Sequence, residues 1–520
     1  MTLFRNFVSV GSLTLLSRIA GFARDALMAA VLGTGPAADA FFAAFRFPNL
    51  FRRLFAEGAF NTAFVPMFSG ALEREGEAGA RLLAARIMSW LVAMLVIVTI
   101  LAEIFMPQIM VAFVPGFVED TEKFELTVLL TRIMFPYLAC MSLMAAYGAI
   151  LNTLGRFFAA AFAPVLLNLV NIAMLIPLAT FWMQAPHEAT VWVAVATMGG
   201  GIAQLALVWA AIERTGFRPR LRLPRLDPEV RRFWVLAVPA ILAGGITQIN
   251  VFVGTIIASS AENAISVLSY ADRLYQLPLG IIGIAVGTVL LPELSRHLKG
   301  GRDGEARASQ DQALFVSMIL TMPAAIALMA LAEPIVRVLF ERGAFSVLAT
   351  TQTAEALVAF AAGLPAFVLI RVLQPGFFAR EDTLTPTLFA GVSVVINIAI
   401  SLWLFPSLVH VGIAIATSVA AWVNVLMLAV TLALRGYFRL SMAQWRGQFA
   451  ILLVALIMGA ALYILADRGA AHLAPGVPLW RQAGVLFALI LFGMVTYFTL
   501  IHISGTQRLG LLLRRLRRGG

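Results

Sequence analysis

Pro107-Gln-Ile-Met-Val-Ala-Phe113, with Gly116 three residues on, returns later in the chain as Pro334-Ile-Val-Arg-Val-Leu-Phe340, with Gly343 three residues on. The offset is 227 residues (334 − 107). Two further matches keep nearly the same offset. Phe64-Val-Pro-Met-Phe-Ser69 corresponds to Leu290-Leu-Pro-Glu-Leu-Ser295, and each is followed by Gly-Glu-Ala, at 76–78 and at 304–306. Gly148 and Gly376 occupy the same relative position. One such match is unremarkable in an apolar chain, but three in register point to an internal duplication.

What is duplicated is membrane-spanning. Of 520 residues, 61% are hydrophobic and 12% charged, against roughly 25% charged in soluble domains, so the chain cannot cover itself with polar surface. Repeated apolar runs of about 20 residues between short polar breaks read as transmembrane helices; the ten-residue alternation of a membrane β-barrel is absent. The spans predicted are 8–32, 37–68, 86–113, 126–152, 158–183, 190–212, 231–258, 264–294, 312–340, 350–374, 384–406, 411–434, 448–467 and 481–503. The second and eighth exceed what a bilayer needs, so tilt or a kink is expected, with Pro48 and Pro278 as kink points. The fold class is an all-α polytopic membrane protein of about fourteen transmembrane helices. Six helices per copy is even, so the copies share one orientation, forming two parallel-repeat six-helix lobes at 1–215 and 216–436. Residues 437–520 add a C-terminal helix pair and a basic tail. Parallel repeats are a transporter design with the substrate site near the midplane.

The net charge of +11 is a topology signal. Arginines crowd alternate loops: Arg214, Arg218, Arg220, Arg222, Arg225, Arg231 and Arg232 in one, and Arg296, Lys299, Arg302 and Arg307 in another. Arg508, Arg514, Arg515, Arg517 and Arg518 close the chain, whereas 115–125 is acidic through Glu119, Asp120, Glu122 and Glu125. This positive-inside pattern puts both termini in the cytoplasm; the basic loops are topology signals first, with binding to anionic membrane lipids a secondary reading and nucleic acid not expected as a partner. Arg5 ahead of an apolar run resembles a signal peptide, but Arg18, Arg24 and Asp25 fall where its core and cleavage site belong, so the first helix is read as uncleaved. Cys140 is the single cysteine and reads as a small buried apolar residue.

Four arginines sit inside apolar segments: Arg18 and Arg24 in the first, Arg52 in the second and Arg273 in the eighth. A charge at the bilayer centre costs at least about 2.5–3.5 kcal/mol on insertion scales, so such residues should face a wet cavity, a counter-ion or an anionic ligand. Arg18 and Arg24 lie about 9 Å apart along a helix axis; Arg18 shares a face with Asp25 while Arg24 points about 120° away. Gly21 between them is expected to unwind the helix and turn both arginines to one cavity. The duplication aligns Arg273 near Phe47 and not with Arg52, so the copies contribute unequally. Carboxylate partners are at hand in Asp25 beside Arg24, Glu57 one turn from Arg53, and Asp272 beside Arg273. For Arg46, Arg53, Arg337 and Arg371, snorkelling or pairing is favoured. For the other four the excess positive charge favours ligand binding, and the planar guanidinium fork suits a pyrophosphate or other polyanion. Asp39, near the outer end of the second helix, reads as a gate, an ion-pair partner or an interfacial charge. Asn168, Asn171, Asn250, Asn397 and Asn424 read first as interhelical hydrogen-bonders.

Enzymatic chemistry finds no foothold. His187, His297, His410, His472 and His502 are scattered, and there is no His-Glu-x-x-His, P-loop, cysteine cluster or nucleophile elbow. No catalytic residues, metal ligands or cofactor are assigned, and energy is expected from membrane potential or a cation gradient, Na+ or H+.

The same residues carry a family resemblance. Ser17-Arg-Ile-Ala-Gly-Phe-Ala-Arg-Asp25, Asp39-Ala-Phe-Phe42, Phe51-Arg-Arg-Leu-Phe-Ala-Glu-Gly-Ala-Phe60 with Phe64-Val-Pro66, Gly148-Ala-Ile-Leu-Asn152, Tyr270-Ala-Asp-Arg-Leu274 and Gly287-Thr through Ser295 resemble the MurJ (MviN) lipid II flippases of the MOP exporter superfamily. The resemblance covers essentially the whole chain. It implies fourteen helices, two lobes in a V around a cationic cavity, and a groove for the lipid tail at the last helix pair. It implies that Arg18, Arg24, Arg52 and Arg273 bind the pyrophosphate, with Asp25 and Asp39 functionally important; Glu57 and Asp272 stay, from their spacing alone, as gating or ion-pair candidates. Some relatives hold sodium among their later helices; no ligands are carried onto 231–258 or 375–434. The implied function is alternating-access transfer of lipid II from the inner to the outer leaflet of the bacterial cytoplasmic membrane for cell-wall synthesis, alongside other cell-wall synthesis proteins. The competing readings are another MOP-type transporter, for a different polyprenyl-linked glycan or for drugs, and a membrane glycosyltransferase. A cation exporter would favour acidic cavity residues, and no outer loop here is large enough for a transferase site.

Overall fold

With no water in the hydrocarbon layer to satisfy backbone groups, an apolar chain must close its hydrogen bonds within each segment, which helices do. A computed structural model covering residues 2–53, 63–182, 185–438 and 441–504 shows this outcome: helices joined by short turns, and no strand among the described residues. Nine described helical segments are long and apolar enough to cross a membrane. Their outer faces carry large apolar side chains, such as Ile97, Ile100, Ile104 and Phe105 on one helix, exposed as lipid-facing residues should be.

The chain divides by contact into two compact units: Met1–Ser266 with Arg342–Phe345, and Val267–Glu341 with Ser346–Gly520. This partition by contact is distinct from the partition by repeat. The first unit holds α1 (Thr2–Leu32), α2 (Pro36–Arg52), α3 (Val65–Phe113), α4 (Thr121–Met134), α5 (Tyr137–Thr153), α6 (Phe158–Pro177), α7 (Pro186–Thr215) and α8 (Pro228–Ser259). The span expected over 126–152 lies in one membrane-length segment, Thr121–Thr153, which is built of two helices because Pro136 lacks the N–H that would carry one helix across it. Pro48 lies inside unbroken helix, while α3 is interrupted at Gly76, whose φ of 68° suits a residue without Cβ. Asp120 caps α4, accepting from the Lys123 backbone N–H at 3.0 Å.

The two repeated glycines do equivalent work here. A Cβ on Gly116 would lie 2.3 Å from the carbonyl oxygen of Ser259, at the end of α8; one on Gly343 would lie 2.2 Å from that of Ala30, in the last turn of α1. Hydrogen bonds fasten both approaches, Gly116 N to Ser259 Oγ at 3.1 Å and Ala344 N to Ala30 O at 2.8 Å. The loop of each copy thus rests on the first helix of the other. Gly343→Ala is expected to destabilise the protein by more than about 1 kcal/mol, because φ is +56° and the methyl group meets backbone. A thermal unfolding midpoint in detergent equal to that of the unsubstituted protein would contradict this.

The second unit takes in α9 (Ala264–Lys299) from Val267 onward, its first turn belonging to the first unit, then α10 (Asp303–Ala330), α11 (Ala332–Phe340), α12 (Val347–Phe378), α13 (Leu384–Leu434), α14 (Met442–Arg468), α15 (Ala470–Leu473) and α16 (Leu479–Ile503). Pro278 is inside continuous α9, and the span expected over 312–340 breaks at Leu331 into α10 and α11. α13 doubles back at Val409, whose φ of 47° is forced on a β-branched residue. Its two arms are tied by Ser393 Oγ to Ala420 O at 2.8 Å and by Asn397 Nδ2 to Thr417 Oγ1 at 3.4 Å. α14 and α16 pack on α10 through Ile319, Val454, Met458 and Tyr497, and the Tyr497 hydroxyl donates to Ile319 O at 3.0 Å.

At the turn after α12, Asp382 accepts from Arg435 at 2.6 Å and from the Thr385 backbone and hydroxyl at 3.0 and 2.7 Å. The Arg435 hydrogen bond, followed by those from Thr385, holds its carboxyl down at about 2. A depressed carboxylate stabilises the fold above its ordinary pKa and loses that contribution as pH falls, here between about 4 and about 2. Arg435→Gln is expected to move this acid transition upward; an acid unfolding curve unchanged by the substitution would contradict it.

Candidate functional site

α1 runs as one uninterrupted helix past Gly21, so the expected unwinding does not occur. Gly21 has a different use: a Cβ there would lie 3.4 Å from Nδ2 of Asn168, and its absence lets α6 come close. Asn168, buried on α6, then bridges the helices. Its Nδ2 donates to Ser17 O at 3.0 Å, and its Oδ1 accepts from Arg24 Nη1 at 3.0 Å. Arg24 also gives Nε and Nη2 to Asp25 Oδ1, at 3.1 and 2.7 Å. Three of the five guanidinium N–H groups are engaged, and two have no partner among the described residues. Arg18, half-buried on the same helix, has no hydrogen-bond or ion-pair partner among the described residues.

Arg52 reaches the same neighbourhood from α2. Its Nε donates to Asn49 Oδ1 at 3.0 Å, and Asn49 Nδ2 anchors to Phe45 O at 3.0 Å. α2 is fixed by Phe47, whose ring lies 5.2 Å from Phe113 and 5.6 Å from Phe135. The buried Tyr137 on α5 lies within electrostatic range of both Arg52 and Arg24. The first unit therefore brings together Arg24, Asp25 and Arg52, with Asn49, Tyr137 and Asn168 as supports that the sequence reading did not assign to the site. Glu57 lies outside the described residues. Arg273 is half-buried on α9 in the second unit, and the adjacent Asp272 accepts a hydrogen bond from Gln276 one turn on.

Asp39 is fully buried and forms an ion pair with Lys123 Nζ at 2.9 Å; it is not an interfacial charge. Its other oxygen accepts from the backbone N–H of Ser266 at 2.8 Å, in the first turn of α9, where a carboxylate complements the helix dipole. Lys123 also stands 3.9 Å from the centre of the Phe117 ring. This lysine was missed because 115–125 reads as an acidic loop. The available signal was its place in the first turn of α4, where a cation is unfavourable without a counter-ion.

Arg337 is clamped by Glu333 and, at 3.2 Å, by Glu341, the carboxylate pairing expected of it, while Arg46 donates to the hydroxyl of Thr255 at 3.3 Å. Asn171 accepts from Thr197 at 2.9 Å and Asn397 ties the arms of α13, both hydrogen-bonding between helices. Among the described residues no three His, Cys, Asp or Glu side chains gather as a metal site.

A family profile described as "Lipid II flippase MurJ" matches residues 28–483. The chain is 48% identical over 522 residues to a "Probable lipid II flippase MurJ" of Rhizobium meliloti (strain 1021), covering 100% of this chain and 97% of that one. It is 34% identical to the "Lipid II flippase MurJ" of Burkholderia cenocepacia (strain ATCC BAA-245 / DSM 16553 / LMG 16656 / NCTC 13227 / J2315 / CF5610), covering 97% and 98% respectively. Among solved structures, "Lipid II flippase MurJ, inward closed conformation" aligns with a TM-score of 0.79 and 26% identity, over 96% of this chain and 98% of that one. An inward-facing multidrug resistance transporter of the MATE family in the MOP superfamily aligns at a TM-score of 0.66 and 17% identity, over 82% of this chain and 98% of that one, a likeness of fold alone.

Proposed function

The chain belongs to the MurJ family of lipid II flippases, and we propose that it moves its substrate by alternating access, with Arg18, Arg24, Arg52 and Arg273 as the cationic groups that hold the pyrophosphate. It is a multi-pass inner-membrane transporter and not an enzyme, and lipid II is its substrate. The observation that carries the site is the state of the α1 arginines: among the described residues, half-buried Arg18 has no hydrogen-bond or ion-pair partner, and Arg24 is held in place with two N–H groups to spare. Such groups replace headgroup hydration as the pyrophosphate leaves water.

On this reading both termini are cytoplasmic, the headgroup enters from the cytoplasmic leaflet and leaves outward, and the polyprenyl tail stays in lipid, following a groove at α14 and α16. Asp25 sets the direction of Arg24, and Asp39 belongs to the closure at the opposite end of α2. A membrane potential, positive outside, drives the emptied cationic site back inward; transport in purified vesicles that ignores a collapsed potential would rule this step out. A coupled cation, Na+ or H+, is the competing energy source, and other cell-wall synthesis proteins are the expected neighbours.

The site is tested by measuring outer-leaflet lipid II in cells depleted of this protein and supplied with neutral substitutions at Arg18, Arg24, Arg52 or Arg273. Each is expected to fail to restore outer-leaflet lipid II; full rescue by all four would refute the assignment.

A further inference from the structure

Between α7 and α8 the chain runs for eleven residues, 217–227, without helix, as Phe-Arg-Pro-Arg-Leu-Arg-Leu-Pro-Arg-Leu-Asp. Its attachments use almost none of its distinctive side chains. Phe217 is buried against Phe68, ring centres 5.6 Å apart. Arg222 contributes only its backbone N–H, to Ser89 Oγ at 2.8 Å, and Arg225 only its carbonyl, to Trp90 Nε1 at 2.9 Å. Asp227 caps α8 and, with Glu229, receives Arg86 at 3.1 and 2.7 Å. Arg218 pairs with Glu213 at 2.5 Å.

What remains is a fixed strap presenting two kinds of side chain at once. Arg220, Arg222 and Arg225 are exposed without a side-chain partner among the described residues. The leucines between and after them are also exposed: Leu221 by 53%, Leu223 by 85% and Leu226 by 68%. A water-facing loop has no use for three such leucines, and a purely apolar surface has no use for the arginines. The boundary between lipid headgroups and acyl chains accepts both. The strap's position agrees. It joins the end of α7, an apolar helix of membrane-crossing length, to the start of α8, and Trp209 and Trp234 stand six residues inside those ends (215 − 209 and 234 − 228), the level at which tryptophan marks the membrane interface.

We propose that residues 218–226 bind the membrane surface through anionic phospholipid, with Leu221, Leu223 and Leu226 entering the acyl boundary and Arg220, Arg222 and Arg225 taking lipid phosphates. The anchorage on Arg86, Ser89 and Trp90 passes that attachment to α3 and to the start of α8, so anionic lipid steadies the point where the chain enters α8. A polynucleotide would offer phosphates but leave the leucines in water.

The test uses the full chain with Cys140→Ala and Leu223→Cys, labelled at the new thiol with an environment-sensitive fluorophore. It is reconstituted in phosphatidylcholine vesicles with or without phosphatidylglycerol. With anionic lipid, the label should be quenched by a nitroxide on the lipid and shielded from aqueous iodide. Replacing Arg220, Arg222 and Arg225 by Gln should weaken the dependence on anionic lipid about fivefold per arginine, and high salt should weaken it likewise. Leu221→Ser with Leu226→Ser should restore iodide access while leaving the salt dependence. Equal iodide access in both compositions, or shielding that appears only with an added polynucleotide, overturns the proposal.

Discussion

Replacing Lys123 with methionine is expected to destabilise the first unit by about 3–5 kcal/mol, the usual consequence of removing one member of a buried ion pair. Asp39 is wholly shielded from solvent and would keep only hydrogen bonds from Ser266, with no counter-ion for its carboxylate among the described residues. The mirror substitution, Asp39→Asn, leaves the Lys123 ammonium buried 3.9 Å from the Phe117 ring centre without its counter-ion. The combination of Asp39→Asn and Lys123→Met removes both charges and should recover most of the loss, as buried pairs replaced by apolar groups commonly do. Thermal unfolding in detergent distinguishes the cases. A Lys123→Met protein that melts with the unsubstituted one would show that the pair holds nothing together. If the double substitution restores stability but not transport, Asp39 has a duty in the working cycle beyond its place in the fold.

Arg24→Gln is the second change with a large expected effect: a loss of translocation of at least about tenfold, the range set by one hydrogen bond to a charged group. Arg24→Lys should not repair it. Lysine keeps the charge but cannot hold Asp25 and Asn168 and still present two N–H groups to a phosphate. Asn168→Ala gives the complementary reading, because it leaves every charge in place and removes only what aims the guanidinium and ties α6 to Ser17. Lipid II turnover in reconstituted vesicles should fall in both, with the apparent substrate affinity moved more by Arg24→Gln. Full transport by Arg24→Lys would mean that charge alone suffices.

The helices were legible because an apolar run of about 20 residues has one stable form in a membrane, and the ionised groups within them were legible because their cost demands a reason. That is how Arg18, Arg24, Arg52 and Asp25 stood out. What sequence could not supply was direction. Gly21 invites the reading of a broken helix, and only the position of Asn168, 147 residues away (168 − 21), shows it to be a close-packing site. Lys123 was hidden by its acidic neighbours, since composition averages over the one side chain that turns inward. Breaks at Phe135–Pro136 and Leu331 were lost for a related reason: hydropathy measures how well a segment suits lipid and is indifferent to whether its backbone continues.

The glycine contacts also constrain the order in which the protein is made. Most of the first unit is complete at Ser266, yet its last piece, Arg342–Phe345, leaves the ribosome 79 residues later (345 − 266). At about 5–20 residues per second, the end of α1 waits on the order of 4–16 s before Gly343 arrives and Ala344 bonds to Ala30. Through that interval α1, with its three ionised side chains already in the membrane, lacks its closing contact. A nascent chain stalled before residue 342 should therefore present a first unit that protease can still open, and one released beyond 345 should not.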